Sequence, residues 1–162
     1  MTRLHVHISV DDLDASTRFY SALFDQAPTV EKPDYAKWEV EDPRVNLSVS
    51  RRDGRVPGVN HLGIQAESSD ELAILHGRLR AASVATTDEA GASCCYARSD
   101  KHWTADPQGV IWEMFHTLSG TPTYGTDHAP DMPAPDMPAP DTPARDAPAP
   151  DSSVREALPS CC

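Results

Sequence analysis

Residues 3–24 read RLHVHISVDDLDASTRFYSALF, and residues 58–65 read GVNHLGIQ. In the first stretch, His5-Val6-His7-Ile8-Ser9-Val10 alternates polar and apolar side chains, the period of a strand whose two faces differ. Asp12-Leu13-Asp14-Ala15-Ser16 then opens a helix: Asp12 is a capping residue, and Phe19, Tyr20, Leu23 and Phe24 recur at helical spacing. Short strands are expected at residues 29–30, 38–40 and 45–49, separated by the turn-forming Asp42-Pro43 and closed by Arg52-Asp53-Gly54. The first half therefore reads β-α-β-β-β.

The second half repeats that order. Asn60-His61-Leu62-Gly63-Ile64-Gln65 is a strand, and Ser69-Asp70-Glu71 starts a helix with Leu72, Leu75 and Leu79 on one face. Strands are expected at 84–86, around 94–97 and at 110–115, the last preceded by the turn Asp106-Pro107-Gln108-Gly109. His5 matches His61 at a separation of 56 residues, and residues 45–48 match 110–113 at a separation of 65. The pattern predicts an α+β fold in which two βαβββ modules, about residues 1–55 and 56–120, form one curved mixed sheet around a cup at their junction. The expected domain covers residues 1–125.

The chain of 162 residues has a net charge of −11, so its field repels a phosphate backbone and argues against a nucleic-acid partner. No apolar run approaches the roughly 20 residues that a bilayer-spanning helix needs, and Met1-Thr2-Arg3-Leu4 does not read as a secretory signal. The cytoplasm is the expected compartment. From His128 the sequence runs HAPDMPAPDMPAPDTPARDAPAPD, an imperfect Pro-Ala-Asp repeat. Such a stretch cannot bury enough apolar surface to offset backbone ordering, so residues 126–162 are expected to be a disordered tail ending in Cys161-Cys162.

Three positions carry a metal argument. His5 and His61 start equivalent strands, so a pseudo-twofold arrangement points both into the cup. Glu113 sits between Trp112 and Met114 in an apolar strand, where a carboxylate without a counter-charge is expensive to bury. Two imidazoles and one carboxylate resemble the facial triad of non-haem Fe(II) enzymes, with coordination positions left for substrate and oxygen. Ser48 holds the position equivalent to Glu113 in the first module, so that module adds no fourth carboxylate. The composition of the triad does not choose between Fe(II), Mn(II) and Zn(II). The alternative is a solvent-facing Glu113 with two satisfied core histidines. His7 shares the His5 face and reads as a pocket liner, whereas His76, His102, His116 and His128 read as solvent-facing.

Cys94 and Cys95 are adjacent, which disfavours a disulfide between them, and consecutive residues of a regular strand point to opposite faces. Both sulfurs can grip one atom only if this segment is a loop or a bulge. Paired thiolates suit soft ions such as Cu(I), Cd(II), Zn(II) or trivalent arsenic. The plainer reading is two small apolar fillers.

Taken together, RLHVHISVDDLDASTRFYSALF, DYAKWEVEDPRVN, GVNHLGIQ, SCCYARSDKHW, DPQGVIWE and MFHTL resemble the carbon-arsenic lyases of the vicinal-oxygen-chelate superfamily, which also holds glyoxalases, extradiol dioxygenases and a cadmium-induced protein. The resemblance covers roughly residues 3 to 125, and the CCYARSDK block narrows it to the arsenic-specific family. It implies Fe(II) held by His5, His61 and Glu113, with a trivalent organoarsenical captured by Cys94 and Cys95. It further implies O2 as co-substrate and release of arsenite from methylarsenite or reduced aromatic arsenicals. Lys101 and Tyr96 fall in the same block, and Lys101 is a candidate for orienting oxygen or substrate. Residues 91–101 are expected to be a mobile flap over the arsenic.

Two other readings remain open at this level. One is a cadmium- or arsenite-sequestering protein without catalysis. The other is glyoxalase-like isomerisation or extradiol ring cleavage, against which Ser48 and the thiol pair both weigh. Cys161-Cys162 is either an idle end of a solubilising extension or a flexible arm that pre-captures arsenic. Monomer and homodimer are both compatible with two modules in one chain.

Overall fold

A computed structural model of the chain describes residues 1–52, 54–126, 130 and 132. Asp53 of the expected 52–54 turn, His128, Cys161 and Cys162 lie outside the described residues. The order of elements is β1 (Arg3–Ser9), α1 (Leu13–Phe24), β2 (Val30–Lys32), β3 (Tyr35–Glu41) and β4 (Arg44–Ser50), followed by β5 (Gly58–Ala66), α2 (Ser69–Ala81), β6 (Thr87–Cys94), β7 (Ala97–Ala105) and β8 (Ile111–Gly120). All eight strands form one curled mixed sheet in the order β2-β3-β4-β1-β5-β8-β7-β6. Each half contributes one βαβββ module.

The register repeats between halves. Val6 pairs with Leu47 in the parallel β1–β4 ladder, and Leu62 pairs with Trp112 in the parallel β5–β8 ladder. The modules meet along antiparallel β1 and β5, where His5 faces Gly63 and His7 faces His61. Those two pairings interchange under the 56-residue offset, so the local twofold passes beside Val6 and Leu62. Gly63 fits because β5 and β8 approach closely there: a Cβ at this position would lie 2.4 Å from the Glu113 carbonyl oxygen.

The alternation of each strand divides two kinds of interior. One face packs on the helices: Val45, Leu47, Val49, Ala36, Trp38 and Val40 form a buried cluster with Leu13, joined by Val6, Ile8, Tyr20 and Phe24. Ala66, Leu72, Leu75 and Met114 do the same beneath α2. The opposite face carries buried polar side chains, among them His5, His7, Asn46, Ser48, His61 and Glu113. The apolar core thus lies between sheet and helices, and the concave side is a polar cup.

Both helices begin as the sequence predicts. Asp12 caps α1 by accepting from the Ala15 amide at 2.8 Å, and Ser68 caps α2 by accepting from Glu71 at 3.2 Å. The α1 apolar set does not act as one face: Tyr20 and Phe24 pack inward, whereas Phe19 and Leu23 are exposed.

Three expectations for the second module are corrected. Residues 84–86 precede β6 rather than form a strand, which starts at Thr87. The strand expected around 94–97 is a tight turn, with Cys95 and Tyr96 both at positive φ between the paired Cys94 and Ala97. The flap expected over residues 91–101 is mostly a hydrogen-bonded hairpin, because β7 runs from Ala97 through Ala105 between β6 and β8.

Candidate metal and thiol site

His5 comes from β1, His61 from β5 and Glu113 from β8, all buried on the concave face. His5 Nε2 lies 3.3 Å from His61 Nε2, and Glu113 Oε2 lies 3.7 Å and 3.5 Å from those two nitrogens. A triangle with sides of 3.3, 3.5 and 3.7 Å has corners about 2.0 Å from its centre, the bond length of a first-row divalent ion to nitrogen and oxygen donors.

The hydrogen bonds behind the triangle suit it to a cation. His5 Nδ1 donates to the backbone carbonyl of Asn46 at 3.0 Å, and a carbonyl can only accept. The neutral ring therefore turns a lone pair, not a proton, toward the cup from Nε2. His61 Nδ1 donates to the Asn60 Oδ1 atom at 2.8 Å and leaves the same arrangement at its own Nε2. Two buried lone pairs 3.3 Å apart cannot bond to each other. An ion between them satisfies both, together with Glu113.

Burial holds the pKa of His5 down at about 4 and that of His7 well below its ordinary value, so both rings are neutral near pH 7. Burial also opposes the charge of Glu113, yet the Lys101 ammonium, followed by His61 and His5, keeps its carboxyl below the usual carboxylate range. Lys101 Nζ donates to Oε1 at 2.5 Å, which leaves Oε2 for the triangle. Burial likewise disfavours the Lys101 charge, and Glu113 with the nearby thiols raises its pKa above that of an ordinary lysine. His7 lines the cup as expected, with Nε2 2.8 Å from Ser50 Oγ.

Cys94 and Cys95 line the same cup as His5, His61 and Glu113. They are thiols rather than a disulfide, with Sγ atoms 2.6 Å apart. The two-residue turn explains the convergence. A regular strand would send these side chains to opposite faces, but Cys95 at φ 58° and Tyr96 at φ 61° swing the second thiol round beside the first. Left-handed backbone costs a non-glycine residue about 1 kcal/mol or more, a strain concentrated at the thiols.

Several residues that hold this turn carry no sequence signal of their own. Tyr96 donates to Asp34 at 2.6 Å across the mouth of the cup, and Asp34 pairs with Arg52 at 3.0 Å. Arg52 stacks on Tyr124, centroid distance 3.8 Å, and Cys95 Sγ donates to the Tyr124 hydroxyl at 3.6 Å. The segment after β8 delivers Tyr124 by folding back: Thr121 donates to Tyr96 O, and Thr126 to Ser93 O. Gly125, at φ 77°, bridges Cys94, and a Cβ there would sit 2.0 Å from Ser93 O. Tyr35 seals the floor, its hydroxyl 2.8 Å from Ser48 Oγ. These partners are far apart in sequence, so only the folded sheet reveals them.

The other described histidines, His76, His102 and His116, depart from the expected solvent exposure. His116 is half-buried with Nδ1 3.2 Å from the Ala66 carbonyl, and His76 and His102 stack on each other.

Residues 2–114 match the Glyoxalase/Bleomycin resistance protein/Dioxygenase superfamily. A trivalent organoarsenical cleaving enzyme of Bacillus sp. (strain MD1) is 42% identical over 120 residues, covering 72% of this chain and 74% of that one. The cadmium-induced protein CadI of Mycobacterium tuberculosis (strain ATCC 25618 / H37Rv) is 36% identical over 126 residues, covering 78% and 83%. Among solved structures, methylmalonyl-CoA epimerase from M. tuberculosis aligns with a TM-score of 0.52 at 22% identity, covering 70% of this chain and 86% of that one. That likeness speaks for the fold alone.

Proposed function

Because the chain belongs to the Glyoxalase/Bleomycin resistance protein/Dioxygenase superfamily, we propose that it is a non-haem Fe(II)-dependent dioxygenase that cleaves the carbon–arsenic bond of trivalent organoarsenicals and releases arsenite. The observation that carries this reading is convergence. Two thiols and a two-histidine, one-carboxylate triangle, set by residues distant in sequence, line one cup. A relative 42% identical is named as an organoarsenical cleaving enzyme, which supports the same substrate class.

Cys94 and Cys95 bind the arsenic. Methylarsenite carries two hydroxyls on arsenic, and two thiols displace them as two waters to give a dithiolate with the methyl group retained. Pentavalent arsenic, with its shell of oxygens, has no such route without prior reduction. His5, His61 and Glu113 hold Fe(II), which supplies activation of O2 next to the captured substrate. Lys101 fixes Glu113 through one oxygen so that the other faces the ion. Trp103 and Phe115, packed edge-on against His61 and His5, give the carbon substituent an apolar wall. The contribution of these side chains is positioning: they hold the bond to be broken beside the oxygen-activating centre.

The test is anaerobic reconstitution with Fe(II), addition of methylarsenite and then air, with arsenic speciation as the readout. Arsenite is expected only with iron and air present, and it is expected to disappear in His61→Ala and Cys95→Ser. Methylarsenate is expected not to turn over. Release of arsenite without oxygen would refute the dioxygenase step. Tight binding without release in the aerobic, iron-loaded protein would favour sequestration instead.

A further inference from the structure

Away from the cup, on the helix-covered face, three donor side chains from three elements meet: His76 from α2, Asp88 from β6 and His102 from β7. Lys101 and His102 are consecutive in β7 and therefore point to opposite faces, Lys101 into the cup and His102 toward α2. His102 Nδ1 lies 2.8 Å from Asp88 Oδ1, and His76 Nε2 lies 3.5 Å from the same oxygen. All three donor atoms fall within 4.8 Å of one another.

We propose that His76, Asp88 and His102 form a second divalent-cation site, which clips α2 to the β6–β7 hairpin and takes a borderline ion of the zinc class. Separations of 2.8 and 3.5 Å are the edge lengths of a polyhedron built on metal–ligand bonds of about 2.0–2.2 Å. Two imidazoles and one carboxylate form a donor set suited to zinc, copper or nickel rather than to calcium or magnesium. The rings lie face to face with centroids 3.8 Å apart. Aiming both lone pairs at one ion takes a turn about χ2, a broad torsion in histidine. Thr86 Oγ1, 3.0 Å from His76 Nε2, stands beside the donors. The groove is acidic on balance: Asp88 and Asp100 line it against Arg80, since the Lys101 ammonium is engaged with Glu113 and the Glu89 carboxylate with Trp103 on the cup side.

An ion here would tie the hairpin that carries Cys94 and Cys95 to the helix behind it. Binding to the folded state alone stabilises that state by mass action. The clip would act most on opening of the hairpin, which lies at the edge of the sheet.

Zinc titration of the full-length protein against a chromophoric chelator tests the proposal, with wild type beside Asp88→Asn and the pair His76→Gln/His102→Gln. The cup and the cysteines are unaltered in all three, so the difference isolates the new site. Wild type is expected to bind one more equivalent at micromolar zinc than either variant. Zinc is expected to slow amide exchange along β6 and β7 in wild type only. Because Asp88 is exposed, its variant tests the site even if the double-histidine variant fails to fold. Equal stoichiometry in wild type and Asp88→Asn overturns the proposal, and so does an extra equivalent that appears only at millimolar zinc.

Discussion

Replacing Lys101 with Met separates the two charges that the cup holds together. In the metal-free protein the substitution leaves Glu113 buried without its ammonium partner, and breaking a buried ion pair from one side costs about 3–5 kcal/mol. A divalent ion on the other Glu113 oxygen takes over that compensation. It also repels the ammonium, since charges of +2 and +1 about 5 Å apart oppose each other by about 2 kcal/mol in water and about 7 kcal/mol at an effective dielectric of 20. The substitution therefore destabilises the metal-free protein and tightens metal binding. Taking the lower figure, affinity rises by about 2 kcal/mol, or about 30-fold. Mn(II) suits the assay because it prefers nitrogen and oxygen donors to thiols and stands in for Fe(II) without oxygen chemistry. Calorimetric titration of wild type and Lys101→Met gives the affinities, and urea unfolding with and without Mn(II) gives the matching stabilities. An unchanged or weaker Mn(II) affinity in the variant would refute the account of Lys101 as a charge competing with the ion.

Gly63→Ala drives a methyl group into the Glu113 carbonyl, so β5 and β8 must part. A cost of about 1–3 kcal/mol in urea unfolding and a several-fold loss of Mn(II) affinity are expected, and wild-type values for both would contradict the close-approach argument. Metal-free protein should lose stability on acidification. His5 titrates at about 4 when folded and near 6.5 when unfolded, so between those values the unfolded chain takes up a proton that the folded chain refuses. His5 alone then removes about 2 kcal/mol between pH 7.5 and pH 5, and His7 shifts in the same direction. Urea midpoints measured with a chelator present should fall accordingly, and a flat profile would argue against neutral buried imidazoles. Truncation after Thr126 keeps the hydrogen bond from Thr126 to Ser93 and should leave turnover intact at high methylarsenite. A drop confined to low substrate would assign Cys161-Cys162 a capture role, and no drop at any concentration would make the tail idle. Truncation after Gly120, which removes Tyr124, should weaken arsenite binding even though both thiols remain.

The triangle of His5, His61 and Glu113 could be read from the sequence because the chain repeats itself. His5 and His61 announce each other at an offset of 56, and Glu113 stands out as the one charge in Val110-Ile111-Trp112-Glu113-Met114-Phe115. The thiol turn was legible only as a condition: the pattern around 94–97 reads as a strand, yet adjacent cysteines cannot share a target within one, so a shared target requires the break that occurs at Cys95 and Tyr96. β7 was hidden because its inward residues Ser99 and Lys101 are polar, which suits a polar cup but resembles a loop when burial is equated with hydrophobicity. The same bias merged Phe19 and Leu23 with the true inward residues of α1. Tyr35, Asp34, Arg52 and Tyr124 gain their meaning only when the two ends of the sheet curl toward each other, information that no local pattern contains.

Alternate residues of β1, β4, β5 and β8 answer to different demands. Val6, Leu47, Ile64 and Met114 secure the helices, while His5, Ser48, His61 and Glu113 face the cup. Cup positions can therefore be rewritten with little disturbance to the apolar layer on the reverse side, provided each newly introduced polar group finds a partner. A scaffold with this interleaving can diversify its reactions by single substitutions, and a designer seeking another metal or substrate would change every second residue and leave those between untouched.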